Sequence, residues 1–401
     1  MRSYPIICVA ALFGGLHASQ AFVGDLEASL RSKSLAQLEQ RKEAIDSKIE
    51  RLARYSLRGG VGPVGYRSIS HTNRNAREWI RIELGQETPI DQIVLVPSIW
   101  RDTLTGFRAD GFPLEFRILA GVQSDPQGAE IAAFKRTDHL LPRIAPLLVP
   151  CQTSASWIRL ETTELSPRAW DGKFTLQLAE ILVFSGQENV ALHQPVETSS
   201  RARTSGSARR PQNLVDGFLP YLMDAYQGNQ SIAFVGTHRV QDEAILTLDL
   251  QAPFAINRVH LHATDLSDTV PHASPADFGI PQKLVFEGAN RADLSDADQL
   301  FEYTKQNVYD VGPIIMQRFD EVTCRYVRLR APEPYIEANR NSSRSRIGFA
   351  EIEVFSDGRN VAKGKVFAVN YDPTMADRSV TALTDGVQVG AELVVQISGD
   401  P

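Results

Sequence analysis

Two loops of the sequence each combine a tryptophan with arginine and aspartate. The loops are SIWRDTLTGFRADGF at residues 98–112 and SPRAWDGKF at residues 166–174. A flat aromatic ring can pack on the C–H face of a sugar, while charged groups bind its hydroxyls. The same side chains also pin long loops through stacking and Arg–Asp pairing, which is the alternative role. The candidate ligand-binding residues are Trp100, Arg101, Asp102, Arg108, Arg168, Trp170 and Asp171.

Two histidines alternate in the strand-like stretch HLH at residues 260–262. Side chains two positions apart share one face of a strand, and a pair of imidazoles can bind a transition metal. The corresponding residues of an earlier, similar stretch are Val94 and Val96, which favours packing in a buried or half-buried strand. The chain contains no nucleophile elbow, no HExxH pair and no phosphate-binding loop. We therefore predict no catalytic site.

The elements that position these residues occur twice along the chain. WIRIELGQETPIDQIVLV at 79–96 is matched by AILTLDLQAPFAINRVHL at 244–261. AEILVFSGQENVA at 179–191 returns as AEIEVFSDGRNVA at 350–362. Between these stretches, short strand-like runs are separated by the turn-forming residues Gly, Pro, Asp and Ser. The repeat predicts two homologous β domains, each large enough for one core.

Alternation within these stretches predicts which side chains are buried. In WIRIELG, Ile80 and Ile82 share one face of a strand, opposite the charged residues. In AEILVF, the face that carries Ala179 and Ile181 is kept in the second copy and is predicted to face the core. Glu180 lies on the opposite face.

The N-terminal region differs from the rest of the chain. Residues 1–21 combine Arg2, a short apolar stretch and a small-residue cleavage site, which predicts an export signal and a secreted, periplasmic or extracellular protein. Residues 25–55 contain no Gly or Pro and carry a narrow apolar stripe. This stripe predicts a helix that either pairs as a short coiled coil, giving a dimer, or packs on the next domain.

These signals divide the chain into five segments. The predicted segments are a signal peptide at 1–21, a helix at 22–57, a first β domain at 58–187, a second at 188–358, and residues 359–401. The last segment resembles the stretch that follows the first closing strand. It is therefore predicted to begin a third repeat or to form a short β tail.

Three stretches carry a resemblance to a known family. They are WIRIELGQETPIDQIVL at 79–95, WIRL at 157–160 and the closing AEIxVF strand. Together they resemble the discoidin, or coagulation factor V/VIII type C, family of galactose-binding-like jelly rolls. The resemblance covers about residues 60–186 and 190–356. It implies a mainly β fold of tandem jelly-roll sandwiches, with ligand-binding loops at one end of each sandwich.

The resemblance also implies a calcium site. In carbohydrate-binding members of the family, the ligands include the Asp of an early DG turn, nearby carbonyls and the Glu of the closing strand. The second repeat offers Asp216 and Glu351 at these positions, although the usual T-x-W after the DG turn is missing. A Glu that accepts hydrogen bonds from turn amides without a metal is the alternative. Glu180 has no preceding DG turn, so a site is less expected there.

Composition excludes several other classes of protein. The formal net charge is −6 and the isoelectric point about 5.8, which disfavours nucleic-acid binding. No apolar run after the signal is long enough for a membrane helix. Beyond the signal the chain has only Cys151 and Cys324, too few for a disulfide scaffold.

The sequence thus predicts a non-catalytic, exported binding protein. Its partner would be a glycan or another ligand of the cell surface or matrix. Two alternatives stay open, namely the ectodomain fragment of a membrane receptor and the accessory binding region of a secreted glycoside hydrolase.

Overall fold

The computed structural model describes most of the two predicted β domains. The described residues are 34, 36–37, 40, 56–57, 65–102, 106–138, 146–168, 171–203, 209–219, 221–222, 233–264, 279–307, 311–336, 343–372 and 379–386. The predicted export signal lies outside them, as does most of the predicted helix. No helix within these ranges has the length and apolar character needed to cross a membrane.

Among the described residues, thirteen strands precede residue 200. They are β1 (Ser56–Leu57), β2 (Tyr66–Arg67), β3 (Trp79–Pro97), β4 (Ile99–Asp102), β5 (Gly106–Ala109), β6 (Glu115–Gly121), β7 (Ala129–Phe134), β8 (Leu147–Glu164), β9 (Ser166–Pro167), β10 (Phe174–Thr175), β11 (Gln177–Ser185), β12 (Glu188–Asn189) and β13 (Val196–Thr198).

Ten further strands follow within the described ranges. They are β14 (Tyr221–Leu222), β15 (Phe234–Arg239), β16 (Ala244–His262), β17 (Lys283–Ala289), β18 (Asp298–Thr304), β19 (Ile314–Glu333), β20 (Arg344–Phe349), β21 (Glu351–Ser356), β22 (Arg359–Asn360) and β23 (Ala368–Val369). Short 3-10 turns lie at Arg136–Asp138, Pro211–Leu214 and Val380–Leu383.

The two largest sheets share one strand order. The first runs β12–β11–β3–β8–β6–β7, and the second runs β22–β21–β16–β19–β17–β18. Neighbouring strands in these two orders are antiparallel, and a long two-stranded ribbon forms the centre of each sheet. We call the structure around β3 and β8 unit 1, and that around β16 and β19 unit 2. Because the two orders agree strand for strand, the sequence repeat is a repeat of the fold, and the predicted mainly β class is confirmed.

The central ribbon of unit 1 bends so that it contributes to two layers. Strand β3 pairs with β8 before and after a register shift between Glu83 and Thr88. Its first part also pairs with β13, and its second part pairs with β11. Ile82 from the first part and Ile93 from the second line the same small interior cavity. The core therefore lies between two layers, as in a sandwich.

The segment after each closing strand packs into the unit that precedes it. Val196 and Leu214 are buried in the core of unit 1, and Phe367 and Leu383 in that of unit 2. Strand β13 adds to β3, and β23 adds to β16. The prediction that residues 188 and 359 open new domains is therefore corrected, because these segments complete existing sandwiches. Sequence similarity shows that two segments are equivalent, but not which core each one joins.

Strand β11 is buried on both faces. Ile181 packs in the main core, while Glu180 on the other face is fully buried as well. A register shift between Leu178 and Glu180 turns Ala179 away from the core face. Ala179 therefore packs with Val96 in a second apolar cluster, and the prediction that it shares a face with Ile181 is wrong.

Candidate functional site

The first predicted ligand loop forms a hairpin of β4 and β5. The register places Trp100 opposite Arg108, Arg101 opposite Phe107, and Asp102 at the turn. The hairpin leaves unit 1 where the backbone N–H of Asp110 donates to the carbonyl of Ser98 at 2.8 Å. This hydrogen bond closes the base of the hairpin.

The second predicted loop is held together by an ion pair. Arg168 Nε donates to Asp171 Oδ1 at 2.9 Å, and Arg168 is only 7% exposed. Desolvation would raise the pKa of Asp171, but hydrogen bonds from Arg168 and from the backbone of Lys173 lower it. Trp170 lies outside the described residues. The pair thus fixes the shape of the loop, which is the alternative role stated for these residues.

Both loops lie at the same end of unit 1. The backbone N–H of Gln177, just after the second loop, donates to the carbonyl of Gly111 at 2.8 Å. The Gln177 side chain also approaches Asp110 Oδ2 at 3.4 Å. Since Asp110 and Gly111 close the first hairpin, these bonds join the bases of the two loops. The sequence did not reveal this contact, because the two loops are separated by the whole of β6, β7 and β8.

A cluster of charged residues lies between the loops. We call it the arginine cluster, and it consists of Arg67, Arg168, Arg209, Asp110 and Asp171. Burial and the charge of Arg168 lower the pKa of Arg67, while Asp110 and Asp171 oppose that shift. Burial and the charge of Arg67 lower the pKa of Arg209. Three guanidinium groups and two carboxylates leave an excess of positive charge there. Arg67 and Arg209 were missed because neither belongs to a recognisable motif.

The two residues of the predicted metal pair, Asp216 and Glu351, contact different partners. The Glu180 carboxylate accepts the backbone N–H of Gly217 at 2.9 Å. Burial and the neighbouring Asp216 raise the pKa of Glu180. Asp216 is therefore a neighbour of Glu180, and the sequence had indicated no partner for Glu180. The reason is that each DG turn follows the closing strand of the sandwich it completes.

Glu351 has a different partner, the second DG turn. Both of its oxygens lie 3.2 Å from the backbone nitrogen of Gly386. Burial and repulsion from Glu353 raise the pKa of Glu351 to about 9, Asp385 adds to the rise, and the ammonium of Lys363 opposes it. Unit 2 thus provides its own cation beside this carboxylate. The equivalent position in unit 1 is the buried Leu192.

The carboxylates of unit 1 fit a hard cation better than those of unit 2. Glu180 is fully buried, and among the described residues its Oε2 atom has no hydrogen-bond partner. An unpaired carboxylate oxygen beside a second acidic group needs a proton or a cation. Ca²⁺ takes carboxylate and carbonyl oxygens, both of which the Asp216–Gly217 turn supplies.

A third group of polar residues is buried on the face of β16 and β21 that is opposite the main core of unit 2. His260, His262 and Glu353 offer one ligand atom each, all within 4.8 Å of one another. His262 Nε2 lies 2.8 Å from Glu353 Oε2, and His260 Nδ1 lies 3.5 Å from the same oxygen. The histidines are 3% and 8% exposed, so the predicted burial of the HLH stretch is confirmed.

Comparison with known proteins gives only distant likenesses. No known protein family matches the chain, and no curated protein matches it. A glycoside hydrolase 29 family member from an unknown rumen bacterium is similar at 11% identity and a TM-score of 0.23, covering 72% of this chain and 40% of that one. The CBM32-1 and CBM32-2 domains of Clostridium perfringens ZmpB, solved with GalNAc, are similar at 9% identity and a TM-score of 0.22. That match covers 71% of this chain and 82% of the other. Likenesses this low carry no argument about function, which depends on the site itself.

Proposed function

We propose that the chain is a non-catalytic, exported binding protein that recognises carbohydrate at the loop end of unit 1. The observation that carries the proposal is the meeting of the two loops at Asp110, Gly111 and Gln177. It brings the bases of the Trp100 hairpin and of the Arg168–Asp171 turn to one place. A shallow site built from loops on a rigid sandwich is a common arrangement for ligand recognition.

The distribution of tryptophan supports this location. The chain has four tryptophans, and all of them lie between positions 79 and 170 of the sequence. Trp79 and Trp157 lie on strands, where Arg159 and Arg81 stack over their rings at 4.9 and 4.3 Å. Trp100 and Trp170 belong to the two loops instead. An aromatic ring on a loop is the usual platform for the apolar face of a pyranose.

The arginine cluster supplies the polar half of such a site. Guanidinium groups donate several hydrogen bonds in a fixed plane, which suits sugar hydroxyls and the carboxylate of an acidic sugar. Asp171, which is half-buried, adds an acceptor for hydroxyl donors, while the buried Asp110 balances the charge of Arg67 and Arg209. The excess of arginine over aspartate favours glycans that carry an acidic group.

We also propose that the carboxylates of Glu180 and Asp216 hold a structural Ca²⁺ ion in unit 1. The unpaired, buried Oε2 of Glu180 supports this assignment. The ion would tie the closing strand β11 to the turn at residues 216–217. This is the calcium site expected from the sequence, transferred from Glu351 to Glu180.

A glycan array tests the proposed function. The full chain, labelled and supplied with calcium, is applied to an array that includes neutral and acidic glycans. We expect binding to a restricted set in which acidic glycans are enriched. Absence of binding to every glycan at a protein concentration of about 1 mM contradicts the proposal, because even a site with a Kd of about 1 mM would then be half occupied.

A further inference from the structure

On the sheet face opposite the main core, unit 2 carries polar residues at positions where unit 1 carries apolar ones. In unit 2, β16 and β21 place His260 opposite Glu353, with His262 two residues further along the same face. In unit 1, the equivalent strands place Val94 opposite Leu182, and Val96 follows. Those three residues are buried in one apolar cluster. The fold therefore does not require histidine or glutamate at these positions.

We propose that His260, His262 and Glu353 bind one divalent transition-metal ion of the zinc class. Two imidazoles and one carboxylate form a ligand set that Zn²⁺ uses in proteins. Ligand atoms held about 2.0–2.1 Å from such an ion lie roughly 3.3 Å apart in a tetrahedral arrangement. The observed separations of 2.8 and 3.5 Å from the Glu353 oxygen lie on either side of that spacing.

Three buried polar groups cost unit 2 free energy that unit 1 does not incur. His260, His262 and Glu353 are at most 9% exposed, and burying imidazoles and a carboxylate is unfavourable unless their polar atoms are satisfied. Glu353 contacts His260 through Nδ1 and His262 through Nε2, which are the ring atoms that would bind the metal. A bound cation would account for the retention of three polar groups in unit 2.

The chemistry of the three groups also suits a metal. Neutral imidazole and ionised carboxylate are the forms that coordinate zinc, so binding would release any proton that the histidines carry.

Ionisable groups of neighbouring segments lie around the cluster. Arg258, two residues before His260, forms an ion pair with Glu188 of β12 at 2.5 Å. Glu351 lies opposite His262 and adds a second acidic group on this face. His193 approaches from the segment that completes unit 1, and its pKa is lowered by desolvation and by His260. The site thus lies against the chain that connects the two units, which indicates a structural ion.

Zinc titration of the full chain tests the assignment. The protein is stripped with a chelator, dialysed, and titrated calorimetrically with Zn²⁺ in the presence of Ca²⁺ to fill the separate calcium site. Co²⁺ is then used as a spectroscopic probe, because tetrahedral Co²⁺ absorbs strongly in the visible range. The central variant is H260V/H262V/E353L, which installs the residues of unit 1 and should keep the sandwich folded. The control is His71→Val, which breaks a different histidine–glutamate pair, His71 with Glu78 at 2.6 Å.

The proposal predicts one equivalent of bound Zn²⁺, visible Co²⁺ absorption, and a raised melting temperature with zinc. It predicts that H260V/H262V/E353L lowers zinc affinity by about 100-fold or more and loses the Co²⁺ spectrum, while His71→Val keeps both. Two results would overturn it. One is wild-type protein that binds no zinc and melts at the same temperature with and without it. The other is a folded triple variant that binds zinc as tightly as the wild type.

Discussion

At the scale of single residues, one substitution between the repeats separates the two buried glutamates. Unit 2 has Lys363 near Glu351, whereas unit 1 has the buried Leu192 at the same position. A lysine beside a carboxylate supplies the positive charge that a metal cation would otherwise bring. Glu180 has no such group at the equivalent position and carries an unpaired oxygen. The residues therefore divide the two units into one whose buried glutamate lies beside a lysine and one whose buried glutamate lies beside Asp216 with no lysine at the equivalent position.

This difference predicts that calcium stabilises the chain through Glu180 and not through Glu351. Glu180→Gln should abolish the calcium-dependent rise in melting temperature, because it removes a charged ligand. Glu351→Gln serves as the matched control and should keep that rise. At a calcium concentration of 100 times the Kd, the stabilisation lost is about 2.7 kcal/mol. Differential scanning calorimetry with calcium and with chelator measures it, and an unchanged calcium response in Glu180→Gln contradicts the assignment.

At the scale of elements, the sequence predicted most strands but not which core each side chain or segment packs into. The alternation of Ile80 and Ile82 placed both in the core, where they are found. The paired copies of AEIxVF also occupy equivalent positions in two sheets of the same order. The turn of Ala179 out of the core was not predictable, because one residue out of register leaves no mark on an apolar pattern. The sequence also did not predict that residues 188–215 pack into unit 1. The spacing of apolar residues shows that a segment is buried, but not in which core.

The completing segments give a prediction with a built-in control. Leu214→Ala should destabilise unit 1 by about 2–5 kcal/mol, because Leu214 is fully buried in its core. Leu383→Ala should do the same to unit 2. Amide hydrogen exchange measures the effect in each unit separately. Leu214→Ala should lower protection in β3 and leave β16 unchanged, and Leu383→Ala should give the reverse. Loss of protection in β16 with Leu214→Ala would mean that the segment belongs to unit 2, as the sequence pattern predicted.

At the scale of the whole molecule, the DG turn of unit 1 lies against the start of β19 in unit 2. Gly312 has φ +91°, and a Cβ atom there would lie 2.0 Å from the carbonyl oxygen of Asp216. A Cβ added to Gly217 would lie 2.8 Å from Ile314. We call this contact between the two units the junction. The proposed calcium and zinc sites lie on either side of it.

The close approach at Gly312 predicts that the junction tolerates no side chain. Gly312→Ala should cost about 2 kcal/mol or more, because both the backbone conformation and the contact with Asp216 exclude a methyl group. Gly358→Ala is the matched control, since Gly358 also has a positive φ but a Cβ atom placed there would meet no described atom within 4 Å. Chemical denaturation measures both variants. Equal losses in the two would show that strain at positive φ, and not the junction, sets the cost.

The proposed site at the loop end of unit 1 was predicted only in part from the sequence. The loops containing Trp100 and Arg168 were identified from residue type alone, and the structure brings their bases together. The arginine cluster was not foreseen, because Arg67 and Arg209 come from segments far apart in the chain. Charge clusters of this kind depend on long-range folding and have no local sequence signal.

The most direct test of the proposed function is a calorimetric titration of the best glycan from the array against three proteins. These are the wild type, Trp100→Ala, and the control Trp79→Ala, which removes a tryptophan from a strand outside the loops. We predict that Trp100→Ala weakens binding at least tenfold, about 1.4 kcal/mol, at unchanged melting temperature, while Trp79→Ala keeps its affinity within about twofold. Full affinity in Trp100→Ala, or an equal loss in both variants, would contradict carbohydrate binding at the loop end of unit 1.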